Sequence, residues 1–94
     1  AIELGKTNAQ AYGYRCHLFN LKKDYRQALP DCNRSIDLNR NLFPAYVTRA
    51  QTYEGLGNIR EALADMRQAL SLRPQDKYVQ ESVRRLTAKA SGNR

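Results

Sequence analysis

Two cysteines and one histidine are the residues of this sequence best suited to bind a metal or attack a substrate. Cys16 and His17 are neighbours, and Cys32 is the second cysteine. Adjacent residues of a helix point in different directions and no C-x2-C pair is present, so a zinc site is not predicted. Both cysteines are predicted to be buried structural thiols. A disulfide stays open as the alternative, because it depends on whether the helices that contain them pack together.

Residues that could form a catalytic site are also few. His17 has no nucleophile placed beside it by a known motif, because Cys16 is predicted to face the core. Gly55 and Gly57 fall between two predicted helices and do not form a phosphate-binding loop. We therefore predict neither an enzyme nor a bound cofactor.

The net charge of the chain is +7, from 16 lysines and arginines against 9 acidic residues. Such an excess favours nucleic acid or an acidic partner when the cations cluster. Here they are scattered from Lys6 to Arg94, so a solvated basic surface is the preferred interpretation and nucleic acid is not expected as a partner. The alternative is nucleic-acid binding through a convex face formed by Arg26, Arg34, Arg60 and Arg67.

No stretch of the sequence approaches the roughly 20 apolar residues of a membrane span. The segment from Ala1 to Lys6 lacks the basic start and the long apolar run of a signal peptide. A cytoplasmic location is expected for this chain, which we take to be part of a longer array whose targeting signals need not lie within it.

The sequence repeats after a shift of 34 residues. In this shift Ala11-Tyr12 aligns with Ala45-Tyr46, and small or apolar residues recur at most of the intervening core positions. A period of this length is typical of a solenoid built from helical repeats. The repeat therefore predicts an all-α fold in which each unit is a pair of helices.

Local signals place the helices within each unit. In the second unit, Pro44 suits the first turn of a helix. In the first unit, the first helix is expected at about Ala9 to Leu21. Asp24 is expected to cap a second helix, at about Tyr25 to Leu38. Pro30 falls inside that helix, so we predict a bend or a local irregularity there.

A third helical stretch follows the second unit, at about Gln75 to Ala90. One of its faces is apolar and the remainder is polar, as expected of a terminal cap. The residues of the apolar face are Tyr78, Val79, Val83 and Leu86. The predicted organisation is the end of a preceding repeat helix with its loop in residues 1–8, repeat units in 9–42 and 43–74, a capping helix in 75–90, and a disordered tail in 91–94.

The second unit resembles the tetratricopeptide repeat pattern W-x2-L-G-x2-Y…A-x3-F…P. Its matching residues are Tyr46, Ala50, Tyr53, Ala62, Met66 and Pro74, with Arg49 in place of the usual leucine. The first unit matches through Tyr12, Cys16, Phe19, Ala28 and Cys32, and departs from the pattern at Arg15 and Arg40. The resemblance implies a right-handed helical-hairpin repeat solenoid, with two units and a C-terminal capping helix.

Tetratricopeptide arrays have a concave groove lined by the first helix of each unit, so the resemblance implies a protein or peptide as ligand. The candidate ligand contacts are Tyr14, His17, Asn20, Thr48, Gln51, Glu54, Glu81 and Arg85. Tyr14 is the expected aromatic anchor. One subclass of the family holds the C-terminal carboxylate of chaperone tails with Lys and Asn side chains. Gly13, His17 and Thr48 stand in those places here, so this function is not expected.

Two ion pairs between repeats are predicted, Arg15 with Glu3 and Arg49 with Asp37. Each arginine lies beside the apolar stripe, so its stem is expected to pack on apolar neighbours while the charge stays partly exposed. Self-association is a further alternative function, because a truncated first helix would leave an apolar edge that a second copy could cover. The residues of that edge are Ile2, Leu4, Tyr12 and Phe19.

Overall fold

A computed structural model describes residues 4–92, with side-chain surroundings described from Asn8 onward. Five helices follow one another in this range: α1 Leu4–Leu21, α2 Tyr25–Leu38, α3 Phe43–Gly55, α4 Ile59–Leu72 and α5 Lys77–Ala90. Helix α1 packs on α2, α3 on α4 and α4 on α5, and α3 also contacts α1 and α2. The predicted fold class, an all-α helical repeat solenoid, is confirmed.

The start of α1 differs from the expectation. The helix already begins at Leu4, so residues 4–8 continue α1 and do not form a loop. Residues 1–3 lie outside the described part of the chain, as do residues 93 and 94 of the expected tail, while Ser91 and Gly92 form a turn. The division of the chain into two units and a cap stays a prediction, in which α1–α2 is the first hairpin and α3–α4 the second.

Small side chains occupy the places where the helices approach most closely. Ala28, Ala50, Ala62 and Ala69 are buried, and the larger side chain of Met66 belongs to the same core cluster as the last three. Small residues at facing positions let two helices come close, and large residues then fill the remaining gaps at close-packed density. The second hairpin and α5 share one core cluster, and a second cluster lies between α1 and α2.

The cluster between α1 and α2 contains a disulfide between Cys16 and Cys32. Their Cα atoms are 5.4 Å apart, a separation at which two cysteines can be bridged without backbone movement. The prediction of two free thiols is therefore wrong, and the alternative left open by the sequence is what the structure contains. Ala28 lies in the same cluster, and its small side chain permits this close approach of the two helices.

Arg49 forms its ion pair inside the second hairpin. Its Nε and Nη2 atoms each donate to a carboxylate oxygen of Asp65 at 2.8 Å, and its Nη1 atom donates to Asn33 Oδ1 at 3.0 Å. All three guanidinium nitrogens are therefore engaged with residues other than Asp37. The predicted pair of Arg49 with Asp37 is wrong, because the arginine of the first helix faces the second helix of its own hairpin.

Arg15 repeats this arrangement in the first hairpin. Its Nε atom lies 2.7 Å from Asp31 Oδ2, and its Nη2 atom lies 2.8 Å from Asp31 Oδ1. The predicted partner, Glu3, lies outside the described residues. A signal for the observed pairing was present in the sequence, since Asp31 and Asp65 recur at the same 34-residue shift as Arg15 and Arg49.

Helix α2 continues without interruption through Pro30, whose side chain is exposed. A proline ring on the solvent side of a helix does not disturb the packed face, so the predicted irregularity does not end or divide the helix. Asp24 is the N-cap residue of α2, although its carboxylate accepts a hydrogen bond from the Gln27 side chain at 2.7 Å and none from the helix backbone.

None of the helices in residues 4–92 combines the length and the apolar character that crossing a bilayer requires.

Candidate peptide-binding groove

One surface of the molecule contains two adjoining clefts, which we together call the groove. The first cleft has a volume of about 390 Å³ and is lined by Gln10, Gly13, Tyr14, His17, Leu42, Pro44, Ala45 and Thr48. The second has a volume of about 270 Å³ and is lined by His17, Phe43, Pro44, Val47, Thr48, Gln51, Asp76 and Tyr78. Three residues line both clefts, so the groove runs from α1 across α3 to the start of α5.

The first cleft lies between α1 and the start of α3. Gln10, Tyr14 and His17 line it from α1, while Pro44 and Ala45 lie in the first turn of α3, where proline is favoured because its missing N–H would have no partner. Gly13 lies close to α2, since a Cβ atom added there would lie 3.1 Å from the Oγ atom of Ser35.

Three of the predicted ligand contacts, Tyr14, His17 and Thr48, line the first cleft, and their contact with a ligand stays a prediction. The side chain of Tyr14 is 65% exposed although it is a large aromatic residue. The Thr48 hydroxyl donates to the carbonyl oxygen of Pro44 at 2.8 Å, one helical turn earlier. Gln51 lines the second cleft, where its Nε2 atom donates to the Tyr78 hydroxyl at 3.1 Å.

Asn20 lines neither cleft, because its side chain joins α1 to α3. Its Nδ2 atom donates to the carbonyl oxygen of Thr48 at 3.1 Å, and its Oδ1 atom accepts a hydrogen bond from the Thr52 hydroxyl at 2.8 Å. Both ends of the amide are therefore occupied within the protein. The predicted ligand contact at Asn20 is better described as a hydrogen bond between hairpins.

The remaining candidates lie toward α5. Glu54 lines neither cleft of the groove; its carboxylate pairs with Arg85 and, at 3.3 Å, with the Nζ atom of Lys89. The hydrogen bond from Arg85 is the main reason that the pKa of Glu54 lies below its usual value, with burial opposing the shift. Glu81 and Arg85 line a separate cleft of about 450 Å³ on α5. The structure therefore divides the eight predicted residues among the groove, an internal bond and a charged region on α5.

Tyr78 is a groove residue that sequence reasoning assigned elsewhere. It was expected on the apolar face of the cap, yet its side chain is 52% exposed and lines the second cleft. Val79 and Leu86 of that face are buried, as expected. The repeat contained the missing signal, since Gln10, Pro44 and Tyr78 are each 34 residues apart and all three line the groove.

The groove contains almost no charge. Among the described residues, neither lysine nor arginine lines either cleft, and Asp76 is the only carboxylate. The Oδ1 atom of Asp76 accepts a hydrogen bond from the backbone N–H of Val79 at 3.0 Å, as the N-cap of α5. Within residues 4–92, no group of three His, Cys, Asp or Glu side chains could hold a metal ion.

Comparisons with known proteins agree with the repeat fold. The tetratricopeptide repeat family model matches residues 43–76. Human serine/threonine-protein phosphatase 5 is 36% identical over 77 residues, or 82% of this chain and 15% of the phosphatase. The TPR domain of Arabidopsis OM64 shares 34% identity at a TM-score of 0.81, covering 84% of this chain and 65% of that chain.

A second solved structure is the first TPR domain of Spaghetti (RPAP3) bound to the HSP90 peptide SRMEEVD. It shares 25% identity at a TM-score of 0.86, covering 89% of this chain and 67% of that chain. The present chain spans only about 15% of the length of the curated phosphatase that it matches. With its 34-residue period, its five packed helices and these similarities, the chain belongs to the tetratricopeptide repeat family, whose domains act as protein–protein interaction modules.

Proposed function

We propose that this chain binds a peptide or a partner helix in the groove and performs no catalysis of its own. The observation that supports this most strongly is the open pair of clefts beside the exposed side chain of Tyr14. Covering an aromatic ring at the edge of an uncharged cleft removes apolar surface from water, and tyrosine is among the residues enriched at the centres of protein interfaces.

The Spaghetti domain offers independent support, because a member of the same family with the same fold holds a short peptide. Peptide binding is a property of that domain and comes to this chain as a proposal. The catalytic activity named for phosphatase 5 is not transferred, since the chain spans about 15% of that protein. A cytoplasmic location is likewise a proposal for this chain.

The proposal is tested by selecting binders from a library of random 12-residue peptides and mapping them on the isotope-labelled chain by NMR. Backbone amides of α1 and α3 that line the groove should shift on titration. Tyr14→Ala should weaken binding about tenfold, corresponding to about 1.4 kcal/mol. Leu38→Ala is the matched control, because Leu38 is also partly exposed but lies on α2, away from the groove. Shifts confined to α2 and α4 would contradict the proposal.

One observation favours a second candidate function, binding of nucleic acid to the opposite face. Arg26, Arg34, Arg60 and Arg67 are exposed on α2 and α4, and none of them takes part in an ion pair among the described residues. Binding of an RNA or DNA oligonucleotide that weakens steeply with added salt would support it, and no binding at low salt would exclude it.

Self-association was expected to use an apolar edge that contains Ile2, Leu4 and Phe19. The side chains of Ile2 and Leu4 lie outside the described residues, and Phe19 packs on the disulfide cluster.

A further inference from the structure

The chain has a net charge of +7, yet among the side chains described from Asn8 onward neither lysine nor arginine lines the groove. An anionic group that enters a cleft gives up hydration, and this loss is compensated only by a cation or by free hydrogen-bond donors. The wall of the first cleft formed by Leu42, Pro44 and Ala45 supplies neither from its side chains. The charge distribution of this chain therefore disfavours a carboxylate at the first cleft.

Some polar groups of the groove already make hydrogen bonds within the protein. The Thr48 hydroxyl donates to the carbonyl oxygen of Pro44, and the Gln51 amide nitrogen donates to the Tyr78 hydroxyl. The Asp76 carboxylate caps α5. The other polar side chains of the first cleft, Gln10, Tyr14 and His17, all lie on α1, so the opposite wall of Leu42, Pro44 and Ala45 suits an apolar side chain better than a charged one.

The size and the edges of the first cleft agree with this. Its volume of about 390 Å³ falls in the range of about 300–1,000 Å³ that is usual for ligand pockets. Apolar atoms of Leu42, Pro44 and Ala45 form one wall, and Tyr14 stands exposed at the other side. An aromatic ring beside an apolar pocket can cover a bound side chain and exclude water from it.

We propose that the first cleft holds an uncharged, apolar side chain from an internal segment of a partner protein, with Tyr14 packed against it. This inference rests on the proposed peptide-binding function and specifies its ligand chemistry. The second cleft adjoins the first through His17, Pro44 and Thr48, so the segment continues along α3 toward Tyr78. A free C-terminal carboxylate is not part of the recognised feature.

The test uses the random 12-residue library displayed between two flanking folded domains, so that no selected segment has a free end. Selected sequences should share an apolar residue, and changing that residue to Asp in the synthetic peptide should weaken binding about tenfold or more. Blocking the C terminus of the synthetic peptide as an amide should change its Kd less than about twofold. The peptide SRMEEVD, with a free carboxylate, should bind at least about tenfold more weakly than the selected peptides.

A variant of the chain gives the reciprocal test. Thr48→Lys places a cation where both clefts meet, and Thr87→Lys makes the same change at an exposed position of α5 that lines neither cleft. The Thr48 variant should weaken the selected apolar peptides and strengthen SRMEEVD, whereas the Thr87 variant should leave both affinities within about threefold of the unchanged chain. Circular dichroism melts of both variants establish that they fold.

The outcomes separate this inference from the proposed function. Peptides that map to the groove but need a free carboxylate would overturn the inference and leave peptide binding standing. Selected peptides that tolerate Asp at every position would also overturn it. If no peptide perturbs the groove-lining amides, both the inference and the proposed function are rejected.

Discussion

Arg49 and Asp65 form a two-point ion pair, in which Nε and Nη2 each lie 2.8 Å from a different carboxylate oxygen. The same guanidinium donates to Asn33 on α2, so one side chain links α3, α4 and the preceding hairpin. Arg15 and Asp31 repeat the pair in the first hairpin, but the Arg15 side chain is 61% exposed whereas that of Arg49 is 20% exposed. Because the two ion pairs have the same geometry and differ in the burial of the arginine, their contributions to stability can be compared directly.

Asp65→Asn is expected to destabilise the chain more than Asp31→Asn. Removing the charge at Asp65 leaves a partly buried arginine with weakened hydrogen bonds, a loss of about 1.5–3 kcal/mol in the free energy of unfolding. At Asp31 the exposed arginine recovers water, so the loss should be smaller. Urea unfolding followed by circular dichroism measures both variants. If both variants lose the same free energy of unfolding, the greater burial of Arg49 does not strengthen its pair with Asp65.

The Glu54 pair with Arg85 should contribute stability that disappears in acid. Because the Arg85 hydrogen bond lowers the pKa of Glu54 below its usual value, its contribution is complete above about pH 4.5 and falls as the pH drops through the lower, folded-state pKa. At pH 7, Glu54→Gln should cost less than about 1 kcal/mol, since its partners Arg85 and Lys89 are about half exposed and water screens the pair. The difference in the free energy of unfolding between the unchanged chain and the Glu54→Gln variant should disappear as the pH is lowered.

Unfolding free energies of the Glu54→Gln variant and the unchanged chain at several pH values between 3 and 7 would measure this gap. Glu81→Gln serves as the control, because Glu81 is an exposed carboxylate outside the ion pairs of the described residues. A gap that persists undiminished at pH 3 would show that Glu54 acts through its shape and not through its charge.

Reducing the Cys16–Cys32 disulfide should lower stability appreciably. The bridge joins residues 16 apart in sequence, and closing a loop of that length restricts the unfolded chain by about 3 kcal/mol on the chain-entropy account. Urea unfolding with and without reductant should differ by this order, and the Cys16→Ala, Cys32→Ala double variant should be insensitive to reductant. Alkylation of both cysteines in unfolded, unreduced protein would contradict the bridge.

Gly55→Ala should destabilise the packing between α3 and the start of α2. A Cβ atom at Gly55 would overlap the ring of Tyr25, so the ring or the helices would have to move. Overpacking of this kind costs about 1–3 kcal/mol. In a double-mutant cycle, Gly55→Ala should cost much less when Tyr25 is already alanine. Thermal melts of the four proteins would test it, and additive effects would exclude the clash as the cause.

The helices could be predicted from the sequence because their signals are local. The bounds expected for α2 agree with the observed Tyr25–Leu38, and Pro44 lies in the first turn of α3 as predicted. Hydrophobic spacing and turn residues act within a few positions of the chain. The 34-residue period predicted the helical repeat, and the resemblance of the second unit to the tetratricopeptide pattern predicted the family.

The partners of individual side chains required the tertiary structure. Whether Cys16 meets Cys32, whether Arg49 pairs with Asp65 or Asp37, and whether Tyr78 packs inward or lines the groove all depend on how each helix is rotated against its neighbours. Asn20 illustrates this, since it lies on the predicted face, yet its amide forms hydrogen bonds that join α1 to α3. The sequence by itself determined the repeat and the helices, because these follow from spacing along the chain. Only the packed helices decided which side chains pair and which remain open to a ligand, because contacts across helices depend on distances of a few ångströms that spacing does not specify.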